Sequence, residues 1–89
     1  MNEFEKRGSE LRSQAKSLVL DFMNSTPVCS PGNEGMRLAH IFRACGLDWG
    51  EYKNATSSNQ QYWTVALVRE LESEGKVERV GNSGPWRLR

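Results

Sequence analysis

Apolar residues recur along the chain at two different spacings, and the change from one to the other divides it into elements. After Ser9, the residues Leu11, Ala15, Leu18, Val19, Phe22 and Met23 follow at three- and four-residue steps, which places them on one face of a helix. Ser9 is a candidate cap for that helix. Ser25-Thr26-Pro27 halts it, because proline has no N–H to donate and restricts the residue before it. The pattern predicts a first helix over about 9–24, preceded over 1–8, which lack apolar period and end in Gly8, by a flexible tail or an extra turn leading into that helix. Residues 28–35 contain Pro31, Gly32 and Gly35 and read as a loop.

Met36-Arg37 reads as a short extended segment. Leu38, Ile41, Phe42 and Cys45 then form a second, shorter stripe, which Gly46 ends as a left-handed residue. Residues 47–57 separate it from a third helix; Leu47 is expected in the core, and Trp49 and Tyr52, three apart, suggest a single turn laid on the domain. Ser58 followed by Gln61 has the spacing of a capping box, and Gly75 supplies the stop, so the third helix is expected over about 58–74. On a helical projection Thr64, Leu67, Val68 and Leu71 share the core side, while Asn59, Tyr62, Ala66, Arg69 and Ser73 share the other. The spacing then changes to two: 76–80 and 85–89 alternate around Gly81-Asn-Ser-Gly84, which predicts a β-hairpin. On its return strand Trp86 and Leu88 take one side, leaving Arg87 and Arg89 for solvent.

With 89 residues the chain has room for one hydrophobic core, and 9–89 is expected to form a single domain. The net charge of +1 gives no strong overall pull on a polyanion. Its distribution is uneven: Lys76, Arg79, Arg87 and Arg89 face only Glu78 in the last fifteen residues. No apolar run is long enough for a membrane span and the first residues are polar, so a cytoplasmic protein with no membrane contact is expected. Cys29 and Cys45 have no His or Cys at metal-ligand spacing and read as free thiols, with Cys45 buried. His40 lacks an adjacent nucleophile or carboxylate. No paired carboxylates, phosphate-binding glycine loop or metal cluster points to an enzyme, a cofactor or a metal.

The order helix, short segment, helix, helix, hairpin carries Leu38-Ala-His-Ile-Phe-Arg-Ala-Cys-Gly-Leu47 and Val68-Arg-Glu-Leu-Glu-Ser-Glu-Gly-Lys-Val-Glu-Arg79. Over roughly 9–89 it resembles the winged-helix DNA-binding domains of bacterial regulators. Gly84-Pro-Trp-Arg-Leu88 is also similar to the wing-return strand of winged helices in some restriction-type proteins. The resemblance implies an α+β winged helix-turn-helix: three helices with a C-terminal β-hairpin wing over 76–89. It implies that the third helix enters the major groove of double-stranded DNA while the wing touches the backbone or minor groove. The corresponding positions are Asn59, Gln60, Tyr62, Trp63, Ala66 and Arg69 on the helix, with Arg79, Asn82, Ser83 and Arg87 on the wing. The long connection before the third helix departs from the family's usual short turn.

Arg pairs with guanine edges and Asn or Gln with adenine, so Asn59, Gln60, Gln61 and Arg69 have the chemistry to read bases. Gln60 and Gln61 serve equally well as mere helix caps. Arg79, Arg87 and Arg89 suit either phosphate contact or a solvated strand edge, and Trp63 is expected in the core. Two functions remain in play: DNA binding, for transcriptional regulation or DNA targeting, and a protein–protein interaction module of the same fold. A third is the specificity domain of a larger restriction-type enzyme. The first two separate on whether Arg69 and the wing arginines are held by Glu70 and Glu78. A monomer is expected, with weak dimerisation as the alternative.

Overall fold

A computed structural model describes residues 2–47 and 58–89, and within the third helix the side chains from Trp63 onward. The expected turn at Trp49 and Tyr52, the capping box of Ser58 and Gln61, and the side chains of Asn59, Gln60 and Tyr62 lie outside the described residues. The elements are α1 (Glu3–Asn24), a 3-10 turn (Pro27–Cys29), α2 (Leu38–Ala44), α3 (Ser58–Ser73), β1 (Val77–Arg79) and β2 (Trp86–Leu88). They make a small α+β domain of three helices and a two-stranded antiparallel hairpin at the C-terminus.

Helix α1 begins six residues before the start that apolar spacing suggested, so residues 3–8 are helical rather than a tail. Local chemistry accounts for this. The Asn2 side chain accepts a hydrogen bond from the Glu5 N–H at 2.7 Å and donates one back to the Glu5 carboxylate at 3.1 Å. Together the two bonds satisfy the first turn from both directions. Glu3 and Glu5 also place negative charge at the positive end of the helix dipole. At the other end the Ser25 and Thr26 hydroxyls donate to the Phe22 carbonyl, and Pro27 starts the 3-10 turn.

The later helix ends follow the expected glycine rule. Gly75 has φ +76° and donates to the Glu72 carbonyl while Lys76 donates to that of Leu71, which caps the otherwise unpaired carbonyls of α3. Gly46 and Leu47 do the same for α2, donating to Arg43 and Phe42.

One core joins every element. Val19 and Met23 from α1, Cys29 from the 3-10 turn, Ile41 and Phe42 from α2, and Leu67, Val68 and Leu71 from α3 are buried together with Val77 and Trp86 of the hairpin. Leu47 packs on this cluster, and Trp63 meets Phe42 edge to face at 5.5 Å. Cys45 is half-buried rather than buried.

The hairpin register pairs Val77 with Leu88, Glu78 with Arg87 and Arg79 with Trp86. The extended segment expected at Met36 docks on its outer edge: Met36 and Trp86 exchange two backbone hydrogen bonds of 2.8 and 2.9 Å. Gly35 makes that approach feasible. It sits at φ +82°, and a Cβ there would lie 2.8 Å from the Trp86 carbonyl oxygen, so both its backbone conformation and its missing side chain are used.

Candidate nucleic-acid interface

Trp86 organises the hairpin side of the domain. Because its own N–H and C=O bond to Met36, it stands opposite Arg79 as the non-hydrogen-bonded kind of cross-strand pair, in which side chains approach closely. The Arg79 guanidinium accordingly lies 4.9 Å from the indole centroid. Arg69, reaching over from α3, lies 5.9 Å from the same ring. Two cations from different elements thus lie against one indole ring, whose quadrupole holds them. Arg79 also donates to the Asn82 carbonyl at 3.1 Å, which ties it to the hairpin turn.

Between this turn and the start of α2 runs a cleft of about 330 Å³ whose lining includes Arg37, Arg79, Ser83 and Trp86. Arg37 is exposed on the strand-like segment just before α2. It shares this cleft with Arg79 and Trp86, the ring that Arg69 also meets. Glu72 pairs with Arg69 at 3.2 Å, both side chains being well exposed. An exposed pair one helical turn apart contributes about 0.3–0.5 kcal/mol, so it does not commit Arg69.

Arg87 is in a different position. Its Nε donates to Glu78 at 2.7 Å and its Nη1 to the Asn33 carbonyl at 2.8 Å. Asn33 is itself anchored, donating from Nδ2 to the Pro27 carbonyl at 2.6 Å. The guanidinium is therefore a clasp between the hairpin and the 30–35 loop rather than a group offered to solvent. The expected row of wing arginines divides into Arg87, which is engaged, Arg79, which stacks on Trp86, and Arg89, which is exposed.

The acids of α3 turn the opposite way. Glu70 and Glu74 both accept from Lys16 of α1, at 3.1 and 2.6 Å. These two bonds, that to Glu74 foremost, hold the Lys16 ammonium pKa above its ordinary value of 10.5. Glu70 is thus directed away from Arg69 and toward α1.

Of the residues singled out from the sequence, Arg69 and Arg79 come together around Trp86. Ser83 lines the adjoining cleft, and Asn82 is exposed in the turn. Ala66 is exposed on the far border of α3, where it lines a separate apolar cleft with Leu11 and Trp63. The backbones of Asn59, Gln60, Gln61 and Tyr62 lie in the first turns of α3. Sequence reasoning missed Arg37 and Lys16. A base directly before the second apolar stripe was the available signal for Arg37; Lys16 gave none, since its partners lie more than fifty residues away.

Both cysteines are free, and burial pushes each thiol pKa up. Among the described residues no group of His, Cys, Asp and Glu could hold a metal ion, and no helix is long and apolar enough to cross a membrane. Comparison of the chain with protein-family models, with curated proteins and with solved structures finds no match.

Proposed function

We propose that the chain is a winged-helix domain that binds double-stranded DNA through α3, the start of α2 and the hairpin wing. The observation that carries this reading is the guanidinium cluster around Trp86. Arg69 and Arg79 lie against one ring, Arg37 lines the adjoining cleft, and of the acids near the end of α3 Glu72 makes an exposed pair with Arg69 while Glu70 and Glu74 are bound to Lys16 on the α1 side. A near-neutral protein can bind a polyanion in this way because the local surface, not the total charge, meets the phosphates. Arg69 stands on the solvent side of α3 and serves the groove; Arg37 and Arg79 serve flanking phosphates.

The test is a salt titration of binding to duplex DNA. Affinity is expected to fall with salt, and replacing Arg79 by Ala should flatten the log–log slope by about 0.9 for the phosphate contact removed. Arg69→Ala should additionally reduce discrimination between duplex sequences. No binding at low salt, or a slope unaffected by both substitutions, counts against the reading.

The second reading is a protein-interaction module of the same fold. It is favoured by one specific observation: Glu78 does hold Arg87, which removes the central wing cation from the phosphate-binding set. Arg69, in contrast, is held not by Glu70 but by an exposed pair with Glu72, a weak hold, and for that reason we favour DNA binding.

A further inference from the structure

The first half of α1 carries a hydrophobic seam that stays exposed to solvent. Phe4, Gly8, Leu11, Ala15, Leu18 and Phe22 follow one another at alternating four- and three-residue steps, the spacing that lines up one side of a coiled-coil helix. Phe4 is 75% exposed and Leu11 66% exposed, and every residue of 3–14 except Ser9 is exposed. A helical stretch of that length has little stability of its own in water. Gly8 weakens it further, and the domain makes no use of the small side chain, because a Cβ at Gly8 would meet nothing within 4 Å. The combination suits a close approach by another helix.

We infer that this seam pairs with the same seam of a second copy, antiparallel about a two-fold axis passing between Ser9 and Glu10. That register sets each large residue against a small one: Phe4 opposite Ala15 of the second copy, and Leu11 opposite its Gly8. The charges agree with it. Glu5 and Arg12 border the seam on one side, so each Glu5 meets the other copy's Arg12, and no like charges oppose on that flank. The receiving site is already shaped. Ala15 and Arg12 rim an apolar cleft of about 470 Å³ between α1 and α3, with Leu11, Trp63, Ala66 and Leu67 in its walls. Phe4 of the second copy arrives at that rim with Glu5 beside Arg12. The contact is isologous, so it closes at two copies.

Sedimentation equilibrium of the full chain over a wide concentration range tests this, with a dimer expected for the wild type. Phe4→Glu should raise the dimer dissociation constant by about a hundredfold or more, since it removes two buried aromatic rings per dimer. It should leave the unfolding midpoint of the dilute monomer unchanged, because Phe4 is largely exposed there. Glu5→Arg alone should weaken the dimer, and Glu5→Arg with Arg12→Glu should restore it. Spin labels, introduced as cysteines with Cys45 replaced by Ser, distinguish the direction of pairing. A label at position 10 should give a short distance between copies, and one at Asp21 roughly 35 Å from the helical rise. A monomer at millimolar concentration would overturn the proposal and leave the seam to a helix of another protein. A dimer indifferent to Phe4→Glu, or short distances at both label positions, would overturn it equally.

Discussion

On its α1 side, α3 sets Glu70 and Glu74 against Lys16; on its hairpin side it sets Arg69 against Trp86, beside Arg79. One side is joined by opposite charges that neutralise each other. The other is joined by an aromatic ring that holds two cations, of which Arg69 also has the exposed Glu72 beside it. The contrast teaches how a chain of net charge +1 can still present a basic surface: Glu70 and Glu74 are engaged by Lys16, whereas Arg69 and Arg79 rest on a neutral ring, with the exposed Glu72 as a weak partner of Arg69. Sorting charges by partner is therefore more informative here than counting them.

The strongest way to break the comparison is Trp86→Ala. This buried ring fills the core, meets Met36 and seats both arginines, so its loss should destabilise the fold by about 3–5 kcal/mol in chemical denaturation. Trp86→Phe, which keeps an aromatic face, should lose much less. Should both variants prove equally harmful, the indole's role as a platform for Arg69 and Arg79 is wrong.

Gly35→Ala comes next. It leaves the α1 side alone but forces a left-handed backbone and a contact with the Trp86 carbonyl, and should lower stability by roughly 1–3 kcal/mol. A neutral result would mean that the Met36–Trp86 pairing is not tight. Arg79→Ala should remove the cation–ring attraction, about 0.5–1 kcal/mol, together with the exposed hydrogen bond to the Asn82 carbonyl, and shows in a thermal melt as a small downward shift. A larger loss would mean that Arg79 is primarily structural.

Lys16→Met sharpens the other side through pH alone. Because the folded-state pKa of Lys16 is raised above 10.5, its stabilising contribution is complete below the unfolded value. It disappears as pH rises through the folded one. The wild type should therefore exceed Lys16→Met in stability by a constant margin at neutral and mildly alkaline pH, with the margin closing only above about pH 10.5. A margin that persists into stronger alkali would assign the effect to packing of the lysine stem instead.

Much of this arrangement was legible in the sequence because it depends on neighbours. The hairpin, the glycine stops at Gly46 and Gly75, and the inward side of α3 at Thr64, Leu67, Val68 and Leu71 all follow from spacing and turn chemistry, and the structure has them. The start of α1 is not fixed by the sequence because an apolar period shows only where a helix packs, and residues 3–8 are exposed. The fate of the arginines was illegible for another reason. Arg87 depends on Asn33, Arg69 on Trp86, and Glu70 on Lys16, partners separated by up to 54 residues. Alternation placed Arg87 correctly on the side opposite Trp86, yet could not show that Glu78 and the 30–35 loop occupy that side.

The Met36–Trp86 bridge also bears on how the domain forms. It joins positions roughly fifty residues apart, and closing so long a loop carries an entropic penalty that only the assembled core can offset. The bridge should be among the late contacts to appear during folding, since distant pairings must await the helices they connect. Partly folded chains would then hold Arg69 and Arg79 apart, and the cationic surface would exist only in molecules whose folding is complete.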